Sequence, residues 1–271
     1  MGERVPAPVT VVGIGADGWG GLAPAGRDAL LAADVVLGGP RQLDLLPADV
    51  GAERRAWPSP LVPALPGILD ELDGRRVAVL ASGDPMFFGI GTTLARTVGA
   101  ARLRVLPHPS SLSLACARLG WALEGVEIVS VVGRAVDALT RRLAPGVRIL
   151  VLSAGADSPT EIAKTVTARG FGPSRMSVLE NLGGPDERVA HGTAGDWSGP
   201  SEPLNVVALE CAGEPGARLL GETPGLPDDA YDSDGQLTKR EVRAVTLAHL
   251  APRPGELLWD VGAGSGSVGI E

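Results

Sequence analysis

Short apolar runs alternate with segments of helical periodicity along the first part of the chain. In residues 1–107 the runs that predict strands are 9–14, 35–37, 76–81 and 103–106, and the segments that predict helices are 24–33, 61–72 and 88–98. The run at 9–14 is continuous and rich in valine, which is typical of a parallel strand buried on both faces. The pattern therefore predicts an α/β unit over residues 1–107.

The same alternation resumes after a break at Pro107, His108 and Pro109. Residues 127–132, 147–152, 176–180 and 205–209 predict strands, and residues 111–119, 135–143 and 160–169 predict helices. Residues 108–212 are therefore expected to form a second α/β unit, joined to the first near residue 108.

The pattern changes again after residue 212. Residues 213–234 are rich in Gly, Pro and Asp and predict a linker. A helix is expected over 238–250, with Thr238 and Glu241 forming a capping box, and a strand over 256–261. A single strand cannot bury both faces of a sheet, so residues 235–271 are expected to be the truncated start of a further domain.

Charge and composition exclude several classes of partner. The net charge of −8 and the 3% aromatic content disfavour nucleic-acid binding. No run of about 18 apolar residues predicts a membrane span, and residues 1–8 show no apolar signal region with a charged start, so secretion is not expected. Two distant cysteines and three scattered histidines predict neither a disulfide framework nor a metal site. These observations favour a cytoplasmic protein.

The first glycine-rich loop matches a dinucleotide-binding motif only in part. Gly13, Gly15 and Gly18 fit G-x-G-x-x-G after a strand. That motif also needs an acidic residue at the end of the second strand, which here ends in glycine, whereas Asp34 precedes the strand. A plain tight turn, or a turn that lines another ligand's site, is therefore favoured over a nicotinamide site.

Two further loops follow strands and begin helices. Gly83 permits close backbone approach, and Asp84 is either a helix cap or a ligand contact. The adjacent Phe87 and Phe88 favour a site or a lid. Ser110 and Ser111 are expected to cap the next helix, and a hydroxyl at a helix start can also donate to a ligand.

Taken together, the motifs resemble the tetrapyrrole methylase family. The segments that carry the resemblance are VVGIGADGWGGLAPAGRDALLAADVVLGG, LASGDPMFFGIG, LPHPSSLSLACARLGW, EIVSVVGR and MSVLENLGGPDERVAHGT. Residues 9–210 are most similar to the branch that methylates carbon 5 of precorrins. Residues 231–271 resemble the start of the companion module that methylates carbon 15 and decarboxylates, and the loop DVGAGSG resembles motif I of Rossmann-like methyltransferases.

The resemblance implies a fold, a reaction and a cofactor. The fold is α/β, with two units, a cofactor cleft between them and the truncated start of a Rossmann-like methyltransferase domain. The reaction is C-methylation of a precorrin, a small-molecule tetrapyrrole, at carbon 5 in cobalamin biosynthesis. The methyl donor is S-adenosylmethionine, and a homo-oligomer without nucleic-acid or membrane partners is expected.

The resemblance also assigns candidate site residues, although it nominates no catalytic base. Cofactor contacts are expected at Gly13, Gly15, Gly83, Asp84, Phe87, Phe88, Ser110, Ser111, Leu152, Asn181 and Leu182. An incomplete second cofactor loop is expected at Asp260, Gly262, Gly264 and Gly266. Because arginine suits bidentate carboxylate contacts, Arg41, Arg134 and Arg188 are the candidates for the substrate's carboxylates.

Three alternatives remain open from the sequence. The acceptor could be that of another family member, such as diphthine synthase or a ribosomal RNA ribose methylase, although the acidic charge disfavours RNA. The chain could instead be a nicotinamide-dependent oxidoreductase. It could also be a noncatalytic fragment that only binds a ligand.

Overall fold

The computed structural model describes residues 8–221, 223–233 and 235–271. The predicted absence of a signal sequence at the N-terminus falls on residues that lie largely outside these ranges. The first seven residues of the predicted first unit also lie outside them, as do Glu222 and Asp234 of the predicted linker. In the described ranges no helix is long and apolar enough to cross a membrane.

The first unit is built on a fully parallel five-stranded sheet in the order β3-β2-β4-β1-β5. Its strands are β1 (Val9–Ile14), β2 (Val35–Gly38), β3 (Glu53–Ala56), β4 (Val77–Ser82) and β5 (Leu103–Leu106). Successive side chains of the central strand β1 enter opposite cores, with Val11 on one face and Val12 on the other. Helices cover both faces, so the continuous apolar runs of this unit are buried on both sides.

The helices of the first unit connect the parallel strands. They are α1 (Gly18–Gly21), α2 (Pro24–Leu31), α3 (Pro40–Asp44), α4 (Leu61–Glu71) and α5 (Ile90–Val98), followed by a 3-10 helix at Ala100–Arg102. Because all five strands are parallel, the loops that follow them lie together at the carboxyl end of the sheet.

The second unit contains a mixed five-stranded sheet in the order β6-β7-β10-β8-β9. Its strands are β6 (Glu127–Ser130), β7 (Arg148–Leu152), β8 (Arg175–Glu180), β9 (Arg188–Thr193) and β10 (Asn205–Glu210). β6 and β7 are parallel, whereas β10 runs antiparallel to both of its neighbours, β7 and β8. The amino end of β10 therefore lies beside the carboxyl ends of β7 and β8.

Helical segments also flank the second sheet. They are α6 (Ser111–Leu119), 3-10 helices at Leu123–Gly125 and Val136–Arg142, and α7 (Ser158–Val166), which continues into a π-helical turn at Thr167–Phe171. Apolar residues of α6, including Cys116, pack on one face of the sheet, and those of α7 pack on the other. The α/β fold class predicted from the sequence is confirmed.

The sequence pattern missed two strands, β3 and β9. Three of the four residues of β3 are charged, and no residue of β9 is buried. Both lie at the edge of a sheet, where one side of the strand faces solvent and little apolar periodicity is needed. The helix expected at 135–143 is a 3-10 helix, and the one expected from residue 88 begins at Ile90.

Two predictions for the end of the chain are wrong. Residues 256–261 form no strand, and Leu257 and Trp259 are 84% and 78% exposed. An apolar run forms a strand only when a neighbouring strand satisfies its backbone groups, and none in the described residues does so. The capping box is also absent, because helix α8 (Arg240–Leu250) begins after Lys239 with no side-chain cap.

A buried ion pair organises this last segment. Arg243 and Glu271 have 0% and 2% exposed side chains and bond to each other. Glu271 also accepts hydrogen bonds from the Leu226 amide at 2.6 Å and the Tyr231 hydroxyl at 3.0 Å. The short helix α9 (Ser267–Ile270) and residues 225–231 are thereby tied to α8.

Candidate functional site

A cleft of about 440 Å³ lies between the two sheets. One wall comes from the carboxyl ends of β1, β2 and β4, and the other from the ends of β7 and β8 and the beginning of β10. Ligands of open α/β sheets bind outside the carboxyl ends of strands, so this is the expected position for a ligand. The lining is mostly apolar, which suits an organic ligand.

Glycines let three loops meet at the floor of the cleft. The Gly83 amide donates to the Ile14 carbonyl at 3.0 Å, and Gly83 has a φ of +58°. A Cβ on Gly13 would collide with the Gly83 carbonyl and lie 2.7 Å from the His108 amide nitrogen. Gly15 and Gly83 line the cleft, whereas Gly13 lies beneath it and permits the close packing.

The loop after β4 places aromatic side chains at the cleft. Phe87 and Phe88 line it, and their rings meet edge to face with centroids 5.0 Å apart. Phe88 has a φ of +51°, which is unusual for a residue with a side chain. Asp84 does not line the cleft; its carboxylate accepts a hydrogen bond from the Met86 amide at 2.9 Å and so shapes the loop.

Some of the remaining predicted cofactor residues line the cleft, and others form hydrogen bonds within the loops around it. Ser111, Leu152 and Leu182 line the cleft. Ser110 is the N-cap of α6, with its hydroxyl accepting from the Ser113 amide at 3.1 Å, and it does not line the cleft. Asn181, with a φ of +50°, stands just before Leu182 and donates its amide to the Leu204 carbonyl.

The three candidate arginines have different surroundings. Arg41 lines the cleft and donates to the Ser82 hydroxyl, which also accepts from Gln42 at 2.8 Å. In the described residues Arg41 pairs with no carboxylate. Arg134 extends from the second unit over the Phe88 ring, with its guanidinium carbon 5.9 Å from the ring centroid. This cation–π contact joins the two walls at the cleft's mouth.

Arg188, the third candidate for the substrate's carboxylates, lies away from the cleft. It begins strand β9 and pairs with Glu180, whose side chain is 2% exposed, at 2.6 Å. Burial alone raises the pKa of Glu180, but hydrogen bonds from Arg188 and from the Glu202 amide outweigh burial and hold the pKa below its ordinary value. Arg188 thus compensates a buried carboxylate and does not line the cleft.

We expect Arg188→Ala to lower the thermal midpoint at neutral pH by roughly 2–4 °C, since it leaves Glu180 without its cation. The stabilisation that comes from a lowered carboxyl pKa is present above the unfolded-state value and is lost as the pH falls through the folded-state value. The difference in thermal midpoint between Arg188→Ala and the unmodified chain should therefore shrink in acid. Thermal unfolding measured from pH 7 down to pH 3 would show this. A deficit that persists unchanged at low pH would contradict this role, and Arg188→Lys should restore part of the midpoint.

Several residues that line the cleft were not predicted from the sequence. They are Gln42, Trp57, Ser82, Ser153 and Asn205. Ser82 and Ser153 stand at or just after strand ends, a position that could have identified them. Asn205 was hidden because it begins a strand, and only the antiparallel direction of β10 brings that end to the cleft.

The position of Asp34 argues against a nicotinamide site. Its carboxylate lies 2.6 Å from the Arg76 guanidinium, at the edge of the sheet where β2 and β4 begin. Hydrogen bonds from the Arg76 side chain and amide lower the pKa of Asp34 to about 2. This acid faces away from the carboxyl end of β2, where a dinucleotide site would need it.

The predicted second cofactor loop lies elsewhere. Gly262, Gly264 and Gly266 all have positive φ values, and the Asp260 carboxylate lies beside Gly269 of α9. None of these four residues lines the cleft. In the described ranges no group of three or more His, Cys, Asp or Glu side chains is arranged to hold a metal ion.

Comparison with known proteins agrees with this architecture. The family of tetrapyrrole (corrin/porphyrin) methylases matches residues 8–197, and the precorrin methyltransferase domain matches residues 229–271. The solved precorrin-6Y methylase of Archaeoglobus fulgidus superimposes with a TM-score of 0.58 at 25% identity, covering 76% of this chain and 98% of that one. The family match and the shared architecture, two sheets with a cleft at their facing ends, show the class of protein. The chain belongs to the tetrapyrrole methylases.

Two curated relatives narrow the comparison. A precorrin-6Y C(5,15)-methyltransferase [decarboxylating] from a Sinorhizobium species is 49% identical over 97% of this chain, which spans 64% of that relative's length. A cobalt-precorrin-7 C(5)-methyltransferase from Salmonella typhimurium is 35% identical over 67% of this chain and 88% of that relative. The chain thus spans less than two thirds of the first relative and is similar to nearly the whole of the second.

Proposed function

We propose that this chain transfers a methyl group from S-adenosylmethionine to carbon 5 of a precorrin macrocycle in cobalamin biosynthesis. The cleft carries the proposal, since it combines glycine-floored loops, an apolar lining and unpartnered polar atoms in a tetrapyrrole methylase fold. The relative from Salmonella, which the chain nearly spans, is named for methylation at this carbon.

The cleft has the chemistry that the methyl donor needs. Gly83 leaves space beside the backbone of residues 109–111, where a side chain would lie within about 3.3 Å of the Pro109 carbonyl. Two buried polar atoms, Ser153 Oγ and Asn205 Oδ1, have no protein partner in the described residues, so they are free to bond to a ligand or a water in the cleft. Leu152, Leu182 and Gly83 are the residues that we infer to hold the cofactor.

The reaction requires alignment more than acid–base chemistry. When bound, S-adenosylmethionine supplies a methyl group that is already activated on a sulfonium. The apolar walls exclude water, and the loops from both units hold donor and acceptor in one cleft, which is catalysis by proximity. Because the conjugated macrocycle is itself nucleophilic, we assign no general base, and Asp84 acts by shaping its loop.

The substrate's carboxylates need local positive charge in a chain whose net charge is −8. Arg41, together with Gln42 and Ser82, presents hydrogen-bond donors at the cleft and lacks a carboxylate partner in the described residues. We infer that Arg41 binds a carboxylate of the macrocycle, and that Arg134 holds the cleft's mouth through Phe88. Arg188 takes no part in substrate binding.

We expect Arg41→Ala to raise the KM for the macrocycle roughly tenfold, since it removes a charge-assisted hydrogen bond at a partly solvated site. Affinity for the cofactor should stay unchanged when measured by calorimetry without the macrocycle. Arg104→Ala, on the exposed edge of β5, is the matched control and should change neither value. An unchanged KM in Arg41→Ala would show that the carboxylates bind elsewhere.

Calorimetry with S-adenosylhomocysteine tests the proposed cofactor site. We expect about one molecule bound per 271-residue chain, because the cleft has the required lining, whereas Gly262 and Gly264 border open space in the described structure. The absence of binding would overturn the proposed function. A second equivalent site would show that the loop at 260–266 also binds the cofactor.

Several further expectations belong to this proposal. The chain is divided into units at 1–107 and 108–212, a linker at 213–234 and the start of a Rossmann-like methyltransferase domain at 235–271. Methylation at carbon 15 and decarboxylation, which appear in the name of the Sinorhizobium relative, are assigned to that last domain. A homo-oligomer in the cytoplasm, without nucleic-acid or membrane partners, completes the proposal.

A further inference from the structure

One loop of the second unit touches the first unit beside the cleft. This loop, residues 181–187, follows β8 and is called the bridging loop. An added Cβ on Gly184 would lie only 2.9 Å from the Cβ of Ala16, which follows β1 in the first unit. Gly184 has no positive φ, so the contact and not the backbone conformation requires a glycine here. The two units therefore meet at Gly184 with no space for a side chain.

This contact lies at the cleft itself. Ala16 lines the cleft from the first unit, and Leu182 of the bridging loop lines it from the second unit. Leu182 is 6% exposed and packs with Leu112 and Ala115 of α6. The position of the bridging loop therefore sets the separation of the two walls of the cleft where these residues meet.

A carboxylate holds the bridging loop in place. Glu187 accepts hydrogen bonds from the Gly183 amide at 2.7 Å and from Arg118 Nη2 at 3.0 Å, and Arg118 Nε donates to its other oxygen. The hydrogen bond from Arg118 lowers the pKa of Glu187, burial opposes this change, and the bond from Gly183 lowers the pKa further. Glu187 is therefore a carboxylate at neutral pH, and its bonds are charge-assisted.

Arg118 belongs to α6, which contacts the bridging loop at two places. Leu114 lies one turn before Arg118 on the same face of α6, lines the cleft and would be 3.3 Å from an added Cβ on Gly183. The second contact is the ion pair with Glu187. A bidentate arginine–carboxylate pair fixes direction as well as distance. The bridging loop is thus held in one position against α6.

We propose that Glu187 and Arg118 are positioning residues for methyl transfer, because they hold the bridging loop against Ala16 and keep the walls of the cleft at the separation that the cofactor needs. Neither residue lines the cleft, so neither is a catalytic residue. The inference rests on the proposed function, since it takes an S-adenosyl ligand to occupy the cleft. When the ion pair is broken, the bridging loop moves away from Ala16 in part of the population. The apparent affinity then falls with the fraction of chains that keep a binding-competent cleft.

Calorimetry with S-adenosylhomocysteine tests this role in Glu187→Gln. Glutamine has nearly the same size but no charge, so the variant weakens the bonds to Arg118 and Gly183 without opening a cavity. We expect the affinity to fall roughly five- to tenfold, whereas kcat at saturating S-adenosylmethionine stays within about twofold, because bound cofactor selects the competent position of the loop. Unchanged affinity, or a loss confined to kcat, would overturn the proposal.

Glu71→Gln is the matched control. Glu71 forms the same kind of bidentate pair with Arg55, with both N–O distances at 2.9 Å, and neither residue lines the cleft. We expect full affinity in this variant. Equal weakening in Glu71→Gln and Glu187→Gln would show a general effect of stability and would overturn the proposal. Failure of the unmodified chain to bind would overturn the proposed function, whereas full affinity in both the unmodified chain and Glu187→Gln would overturn this inference alone.

A pair of small substitutions tests the contact between the units. Gly184→Ala should weaken S-adenosylhomocysteine roughly tenfold, since its methyl group displaces the bridging loop from Ala16. Adding Ala16→Gly removes the Cβ that this methyl group meets, and the double variant should recover part of the affinity. Full affinity in a folded Gly184→Ala variant, or no recovery in the double variant, would overturn the role of this contact. If Gly184→Ala does not fold, Glu187→Gln and its control still decide the proposal.

Discussion

Replacing Gly83 with arginine should abolish binding of S-adenosylhomocysteine. Gly83 lines the cleft with a φ of +58°, and a side chain there would meet the Pro109 carbonyl and the Ser110 backbone at 3.3 Å. The long side chain would occupy the space that the backbone leaves for a ligand. Calorimetry should therefore detect no heat of binding, a loss of at least 100-fold in affinity.

Gly264→Arg is the matched control for this experiment. Gly264 has nearly the same φ, +56°, so both substitutions impose a similar backbone cost. A side chain at Gly264 would meet open space, and the residue does not line the cleft. The control should keep full affinity. Loss of binding in Gly264→Arg but not in Gly83→Arg would contradict the proposed site, because it would place the cofactor at the loop 260–266 and not in the cleft.

Replacing Arg243 with alanine should release residues 225–271 from their packed arrangement. The variant leaves Glu271 buried without its cation and the Leu226 carbonyl without its donor. Removing one partner of a buried ion pair costs on the order of 3–5 kcal/mol, which is a large share of the stability of so small a segment. Limited proteolysis and hydrogen exchange should show a loss of protection within residues 225–271, while residues 8–212 keep their protection.

Arg240→Ala on the same helix is the control for Arg243→Ala. Arg240 is exposed, and its removal leaves no buried carboxylate unpaired. Protection of residues 225–271 should therefore match that of the unmodified chain. If Arg243→Ala retains the same protection as Arg240→Ala, the buried ion pair does not organise this segment. Cofactor affinity should be unchanged in both variants, because neither residue lines the cleft.

Central strands and the loops after them could be predicted from the sequence because burial on both faces leaves a continuous apolar run. β1 and β4 follow this rule, and the turn at Gly83 lies where the pattern placed it. The edge strands β3 and β9 could not be predicted, because charged residues are tolerated where one side of a strand is open. The run at 256–261 has the pattern of a strand, yet no neighbour in the described residues pairs with it.

The site was harder to predict than the fold, because its second wall depends on strand direction. The pattern at 205–209 marks a strand but does not say which end reaches the cleft. Only the antiparallel pairing of β10 with β7 and β8 places Asn205 beside Ser153. Arg188 shows the converse error, since its charge suggested a substrate contact, whereas the structure pairs it with the buried carboxylate of Glu180.

The most direct test of the account is mass spectrometry of the product. The 271-residue chain is incubated with S-adenosylmethionine and a precorrin that lacks the methyl group at carbon 5. We predict the gain of one methyl group at carbon 5 and no release of carbon dioxide, because one cleft can align donor and macrocycle, whereas the glycine loop at 260–266 lies outside it. No methyl transfer by a chain that binds the cofactor, or release of carbon dioxide, would contradict the account.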